Sequence, residues 1–182
     1  MGGPPVDDRA LIELCQCGHP AGFSRLLAAY QDRVYRTAYT FLRNREDARD
    51  LTQEVFLRTV RAVNSLDPDR PLWPWLRRVT TNLSLTLLKK RTPHLSLDAL
   101  PESAQPQDCS AEPAWTQLEI REALGELPPL WRIVLTLRHQ EELPYEEIAR
   151  VTDLPVGTVK TYIFRGRRLL RERLALREGS HR

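Results

Sequence analysis

The chain has 182 residues, of which 41% are hydrophobic and 28% charged, and this balance excludes a disordered chain while allowing one ordinary domain or two small ones. No apolar run is long enough to span a bilayer, so membrane insertion is not expected. The net charge of +3 is unevenly distributed: residues 158–177 hold seven Lys or Arg against one acid, whereas residues 92–114 hold four acids and no Lys or Arg. A basic end of this kind indicates a polyanionic partner.

The first half of the chain repeats apolar residues every three or four positions, which predicts helices from residue 9 to residue 91. The pattern is carried by ALIELCQC, GFSRLLAAYQDRVYRTAYTFL and EDARDLTQEVFLRTVRAV. A fourth helix is predicted over LWPWLRRVTTNLSLTLLKKR, after the turn DPDRP. In the second helix, the predicted buried stripe consists of Phe23, Leu26, Leu27, Tyr30, Val34, Ala38 and Phe41.

The motif CQCGH in the first helical segment offers Cys15, Cys17 and His19 as metal ligands, with Cys109 as a conceivable fourth. However, two cysteines separated by one residue cannot share a helix face, and structural zinc sites favour wider pairs. We therefore expect no cofactor and no metal, although a metal- or redox-sensing role through these residues stays open. Three cysteines are too few for a disulfide framework, and a reducing cytoplasm is expected.

The third helix combines a buried stripe with an outer face of acids and an amide: Glu46, Asp47, Asp50, Gln53 and Glu54. Acids near a helix N-terminus stabilise the macrodipole, and this is the simpler interpretation. The alternative is that this face docks on a basic partner protein.

The fourth helix begins with two tryptophans, Trp73 and Trp75, that are followed by polar and basic residues. Aromatic side chains interleaved with cations suit single-stranded nucleic acid, because bases stack on rings while cations hold phosphates. Tryptophan in a small helical domain is more often a core residue. We expect Trp75 in the core, and the sequence leaves Trp73 undecided.

The composition changes over residues 92–114, which contain four prolines and no periodicity and are predicted to form a flexible acidic linker. Trp115 restarts a helical pattern that continues to about Arg177. The run RIVLTL has a strand-like composition, but its apolar spacing fits a helix face and no partner strand is evident. We therefore predict an all-α protein.

The segment PYEEIARVTDLPVGTVKTYIFRGRRLL is predicted to form a helix-turn-helix. Asp153 favours a turn, and Leu154 is pushed out of helical geometry by the following proline. In the second helix, Val159, Ile163, Gly166 and Leu170 are predicted to face the first helix, with Gly166 allowing close packing. The outer face then carries Lys160, Thr161, Phe164, Arg165 and Arg168, which suits readout of the DNA major groove.

Together, DLTQEVFLRTVRAV, WPWLRRVTTN and LPYEEIARVTDLPVGTVKTYIFRGRRLL resemble bacterial alternative sigma factors of the extracytoplasmic-function (ECF) group in the sigma-70 family. The resemblance covers roughly residues 12–91 and 115–174. It implies two small helical domains, a region 2-like bundle at 1–91 and a region 4-like helix-turn-helix domain at 115–182, joined by a flexible linker at 92–114. It also implies a dissociable specificity subunit of RNA polymerase that has no catalytic residue.

The resemblance also implies three sets of site residues. The core-polymerase surface would comprise Asp47, Asp50, Gln53, Glu54 and Phe56. The minus-ten residues, which capture a flipped base and line the adjoining DNA, would be Asn64, Ser65, Leu66, Asp67, Asp69, Arg70, Trp73, Arg77, Arg78, Asn82, Lys89, Lys90 and Arg91. The minus-thirty-five residues would be Arg138, Thr158, Lys160, Thr161, Tyr162, Phe164, Arg165 and Arg168.

The partners implied are core RNA polymerase, promoter DNA in duplex and single-stranded form, and an anti-sigma factor. Tyr162 and Gly166 depart from the family, since many members carry Arg and Ala there. A stand-alone helix-turn-helix regulator is the alternative. It would bind duplex DNA tightly without polymerase, usually as a dimer, and would leave the acidic helix without a role.

Overall fold

The computed structural model describes residues 7–91 and 117–179, and these ranges contain helices and turns without any strand. The all-α class is confirmed. The proposed linker at 92–114 lies outside the described residues. Packing divides the chain into two compact units, Met1–Ser84 and Leu85–Arg182, and the finer boundaries expected at residues 91 and 115 stay a prediction. Among the described helices, none combines the length and apolar character that crossing a bilayer requires.

The first half of the chain forms four helices and one 3-10 turn. The helices are α1 (Asp8–Gln16), α2 (Gly22–Leu42), α3 (Arg45–Ala62) and α4 (Leu72–Arg91), and the 3-10 turn covers Val63–Ser65. Side-chain caps fix two of the helix starts: Asp7 accepts from the Ala10 N–H (3.1 Å), and Asn44 accepts from the N–H groups of Glu46 (2.9 Å) and Asp47 (3.2 Å).

The core of the first unit lies between α1, α2, α3 and the start of α4. The predicted α2 stripe is buried at Leu26, Tyr30, Val34, Ala38 and Phe41, whereas Leu27 is 38% exposed because it lies one position off that face. The backbones of α1 and α2 approach closely at Gly22, where a Cβ atom would lie 2.9 Å from the Leu14 carbonyl. Glycine is therefore required at this crossing.

The two tryptophans at the start of α4 differ in burial. Trp73 is buried and stacks parallel to Tyr30 at 6.4 Å between ring centroids, with the Arg33 guanidinium 3.8 Å from the centroid of the indole. Trp75 is half-buried at the edge of the same core. Trp73 rather than Trp75 is thus the deeper core residue.

The second half of the chain forms α5 (Gln117–Gly125), α6 (Pro129–His139), α7 (Tyr145–Thr152) and α8 (Val156–Gly179). The run RIVLTL lies in α6, which confirms the helix prediction. Residues 131–137 are all buried. Because this helix is enclosed on every side, it needs no polar face, and its composition therefore resembles that of a strand.

The helix-turn-helix is confirmed over α7 and α8. Asp153 ends α7 in the left-handed conformation (φ 57°), and the Leu154 N–H donates to the Ala149 carbonyl at 3.1 Å. Val159 and Ile163 are buried against the rest of the unit. Gly166 is buried and closely packed, but against α6 and not against α7 as predicted: a Cβ atom there would lie 2.6 Å from Leu135 Cδ1.

Candidate polymerase-binding and DNA-binding surfaces

The acidic face of α3 begins one turn after the Asn44 cap. Asp50 and Gln53 are exposed, and Asp47 and Glu54 are half-buried. Glu54 pairs with Arg58 at 2.8 Å, an exposed contact within one helix that contributes little stability. These four residues therefore form one outward surface, as the sequence indicates.

The apolar member of this surface is Leu57 rather than Phe56. Phe56 is buried in the core, where it supports the helix and is not available to a partner. One residue further along, a rotation of about 100° places Leu57 on the outer face, where it is 52% exposed and lies one or two turns from Glu54 and Asp50. Val60 continues this apolar strip at 47% exposed. A motif with two adjacent apolar residues does not by itself tell which one faces outward.

The loop between α3 and α4 presents mostly polar residues. Asn64, Ser65, Asp67, Asp69 and Arg70 are exposed, and Leu66 is half-buried against the core. Asp67 organises the loop tip, because its carboxylate accepts from the Asp69 N–H at 3.0 Å and pairs with Arg70 at 3.2 Å. The tip is thus a fixed turn and not an open chain.

Along α4, the residues expected to contact DNA divide between surface and core. Arg78 and Asn82 are exposed, and so are Lys89, Lys90 and Arg91 in the last turn. Arg77 and Trp73 are buried, so their expected direct contacts with DNA are not supported by their positions. Both lie on the inner side of α4, since a shift of one residue from Arg78 to Arg77 turns the side chain from solvent towards the core.

The outer face of α8 carries most of the residues expected to read duplex DNA. Lys160, Thr161 and Arg168 are exposed, and Thr158, Phe164 and Arg165 are half-buried. Arg168 also pairs with Glu172 at 3.4 Å, an exposed contact that leaves it accessible.

Tyr162 does not belong to this outer face. It is 6% exposed and packs against Trp131 with ring centroids 6.1 Å apart. Because the side chain is buried, the expected contact of Tyr162 with DNA is not supported by its position. It shares the inner side of α8 with Val159 and Ile163, three residues before and one residue after it. An aromatic residue thus fills core space at this position of α8.

Arg138, expected as a DNA contact, is engaged within the protein. Its Nη1 donates to the Leu143 carbonyl at 3.0 Å, and its guanidinium lies 5.0 Å from the centroid of the Tyr145 ring. These contacts tie the end of α6 to the start of α7. The Arg138 guanidinium therefore has a structural role, which no sequence motif indicates.

The cysteines of the CQCGH motif lie on different sides of the chain. Cys15 is buried and Cys17 is exposed, as the two-residue spacing predicts. Burial, more than the neighbouring Cys17, raises the pKa of the Cys15 thiol. Within the described ranges, no three His, Cys, Asp or Glu side chains converge on one point, and Cys109 lies outside those ranges.

Two family models match the chain in order: sigma-70 region 2 over residues 26–93 and sigma-70, region 4 over residues 117–170. The first match contains the acidic face of α3 and the loop before α4, and the second contains the helix-turn-helix. This pair of regions defines a sigma factor, a non-enzymatic subunit that binds RNA polymerase and recognises promoters.

Named relatives narrow the class further. The chain is 32% identical over 177 residues to the ECF RNA polymerase sigma factor SigW of Bacillus subtilis (strain 168), covering 90% of this chain and 94% of that protein. It is 31% identical over 176 residues to the ECF RNA polymerase sigma-E factor of Escherichia coli (strain K12), covering 89% and 91%. The structure of CnrH in complex with the cytosolic domain of CnrY matches with a TM-score of 0.61 at 26% identity, covering 94% of this chain and 99% of that one.

The chain belongs to the ECF group of sigma factors. The family, the function and the absence of enzymatic activity that the resemblance implied are confirmed. None of these comparisons supports a stand-alone regulator.

Proposed function

We propose that this sigma factor divides its work among three surfaces. The outer face of α3 docks on core polymerase, the loop at 64–70 with the exposed polar residues of α4 holds the unpaired non-template strand of the minus-ten element, and the outer face of α8 reads the minus-thirty-five duplex. The observation that carries the proposal is the contrast between two exposed helix faces. One carries acids beside exposed apolar residues, and the other is basic.

The α3 face has the character of a protein-docking surface. Leu57 and Val60 are exposed on it, in the turns that follow Asp50, Gln53 and Glu54. Exposed apolar side chains beside polar ones are typical of protein interfaces, where a few residues contribute most of the binding energy. The acids favour a basic surface on polymerase and speed the encounter with it.

The α8 face has the character of a duplex reader. Lys160 can contact phosphate or guanine, and the half-buried Phe164 can contact a thymine methyl group.

The loop at 64–70 is proposed to hold an unpaired base of the minus-ten element. Taking a base out of the stack costs a few kcal/mol of free energy, least where the duplex is easily unstacked. Holding that base in the loop biases the duplex towards melting, and polymerase performs the chemistry.

Co-elution with bacterial core RNA polymerase tests the docking surface. We expect Asp50→Arg to reduce stoichiometric co-elution strongly, because it reverses a charge beside Leu57. Asp32→Arg is the matched control, since Asp32 is an exposed aspartate on α2. Unchanged co-elution of Asp50→Arg, or an equal loss in both variants, would contradict the assignment.

The salt dependence of holoenzyme binding to a promoter tests the α8 surface. Lys160→Ala should weaken binding, and if Lys160 contacts a phosphate the slope of log affinity against log salt should fall by about one. Arg25→Ala removes an exposed cation from α2 and should change neither the affinity nor the slope. Equal effects of the two substitutions would indicate only a general electrostatic attraction.

We also propose that a protein partner holds this sigma factor inactive in the bacterial cytoplasm. CnrH, which shares the fold over nearly the whole chain, was solved in complex with the cytosolic domain of CnrY. An anti-sigma factor of the present chain would cover the α3 face and be displaced by core polymerase. We therefore expect Leu57→Asp to weaken both complexes in parallel, and loss of only one would exclude a shared surface.

A further inference from the structure

Gln16, the last residue of α1, holds the start of the loop between α3 and α4. Its side-chain Nε2 donates to two backbone carbonyls, those of Val63 at 3.0 Å and Leu66 at 2.9 Å. Both bonds are partly buried and join residues 47 and 50 positions apart. One amide therefore fixes two successive points of the segment that leads into the loop.

Asp8, at the other end of α1, holds the end of the same loop. Its Oδ2 accepts from the backbone N–H of Leu72, the first residue of α4, at 2.8 Å. The residue before Leu72 is Pro71, which has no side-chain oxygen with which to cap the helix, so Asp8 supplies the cap from another helix. Its Oδ1 accepts from the hydroxyl of Tyr30, which anchors the carboxylate to α2.

A third contact reaches the loop tip. Arg9 Nη1 lies 2.8 Å from Asp69 Oδ1, but both side chains are well exposed and such a pair contributes little. The main attachments are therefore Gln16 and Asp8. They lie at opposite ends of a nine-residue helix and hold the two ends of one loop.

The helix that carries these groups is firmly seated. Leu11, Ile12 and Cys15 are buried in the core, and the α1 backbone touches α2 at Gly22 so closely that no Cβ atom fits. Because α1 cannot shift without disturbing this crossing, the positions of Gln16 and Asp8 are fixed by the core of the unit.

We propose that α1 is a positioning element for the base-capturing loop, with Gln16 as the principal positioning residue and Asp8 as the second. The inference rests on the proposed role of the loop in holding an unpaired base. A loop that is fixed beforehand loses less conformational entropy on binding, and a misplacement of a fraction of an ångström weakens discrimination between bases. Gln16 therefore contributes to minus-ten selectivity without touching DNA.

Gln16→Glu is the decisive variant, because it keeps the shape of the side chain and replaces the donor by a carboxylate that faces two carbonyl oxygens. The probe is a fork-junction promoter, chosen by the wild-type holoenzyme from a random library, in four versions that differ only in the captured base. We expect the preference for the best base to fall about tenfold in the Gln16→Glu holoenzyme, a change of about 1.4 kcal/mol. Gln16→Ala should show a smaller fall.

Controls separate positioning from folding and from the role of the loop itself. Gln31→Glu makes the same change at an exposed position of α2 and should keep wild-type selectivity, and undiminished binding of every variant to core polymerase reports a folded first unit. Arg70→Ala alters the loop directly. If Arg70→Ala reduces selectivity and Gln16→Glu does not, the positioning role is wrong; if neither reduces it, the proposed role of the loop fails as well.

Discussion

At Gly166, α8 packs closely against α6. An added Cβ atom would lie 2.6 Å from Leu135 Cδ1 and 3.6 Å from the Cβ of Trp131, and Leu135 is itself fully buried. We expect Gly166→Ala to destabilise the protein by about 1 kcal/mol, because overpacking of about 1–3 kcal/mol exceeds the gain in helix propensity of about 1 kcal/mol. Denaturant unfolding of the full chain measures the difference.

Gly157→Ala is the matched control for that substitution. Gly157 is in the first turn of the same helix, and nothing lies within 4 Å of an added Cβ atom. Alanine there should be neutral or stabilising by about 0.4–1 kcal/mol. Destabilisation by both substitutions would show that the loss at Gly166 is not caused by contact with Leu135.

Cys15 and Cys17 should differ sharply in reactivity. Cys17 is exposed, whereas Cys15 is buried and its pKa is raised by that burial, so less of its thiol is ionised at any given pH. In a Cys109→Ser background, a thiol reagent should label one site rapidly, and Cys17→Ser should remove this fast phase. A fast phase that survives in Cys17→Ser would show that α1 opens readily.

For several pairs of neighbouring residues, the sequence does not tell which side chain is exposed. Phe56 and Leu57 are neighbours of similar hydrophobicity, yet only Leu57 faces outward. The same one-residue shift separates Arg77 from Arg78. A family motif gives the register of such a helix only to within a residue, and packing against the rest of the unit determines which side chain is exposed.

At the scale of the helix, the Asn44 cap determines where α3, with its proposed polymerase-docking face, begins. The Asn44 side chain accepts from the N–H groups of Glu46 and Asp47, which otherwise have no partner within the helix. We expect Asn44→Ala to cost about 1 kcal/mol of stability and to fray the first turn of α3. Thermal unfolding measures the cost, and hydrogen exchange of the Glu46 and Asp47 amides measures the fraying.

Asn44→Asp keeps an acceptor at the same position and adds a negative charge at the helix N-terminus. It should retain wild-type stability and slow exchange at both amides. If it is as unstable as Asn44→Ala, then the cap hydrogen bonds are not what holds the start of α3.

The helices and the helix-turn-helix were predictable because their signals are local. Apolar spacing identified α6 despite its strand-like composition, and Asp153 with Leu154 and Pro155 marked the turn between α7 and α8. The attachment of α1 to the loop was not predictable. Gln16 and Asp8 reach partners 47 to 64 residues away, and no motif distinguishes them from ordinary polar residues on a helix surface.

For the whole molecule, the proposed DNA-binding residues are distributed over both compact units. Arg78 is exposed in the first unit and Lys160 in the second. Substitutions that share no partner contribute independently to a binding free energy, to within about 0.3–0.5 kcal/mol. The changes in promoter-binding free energy should therefore be additive when one residue in each unit is substituted.

We expect Arg78→Ala and Lys160→Ala to multiply their effects on promoter affinity in the assembled holoenzyme. If each weakens binding about tenfold, the double variant should be weaker by about a hundredfold. Arg25→Ala combined with Lys160→Ala is the control and should match Lys160→Ala alone, because Arg25 lies on α2 outside both proposed DNA-binding surfaces. The fold change of the double variant should equal the product of the two single fold changes. A departure of more than about twofold would show that the two units do not bind independently, since it exceeds the usual error of additivity.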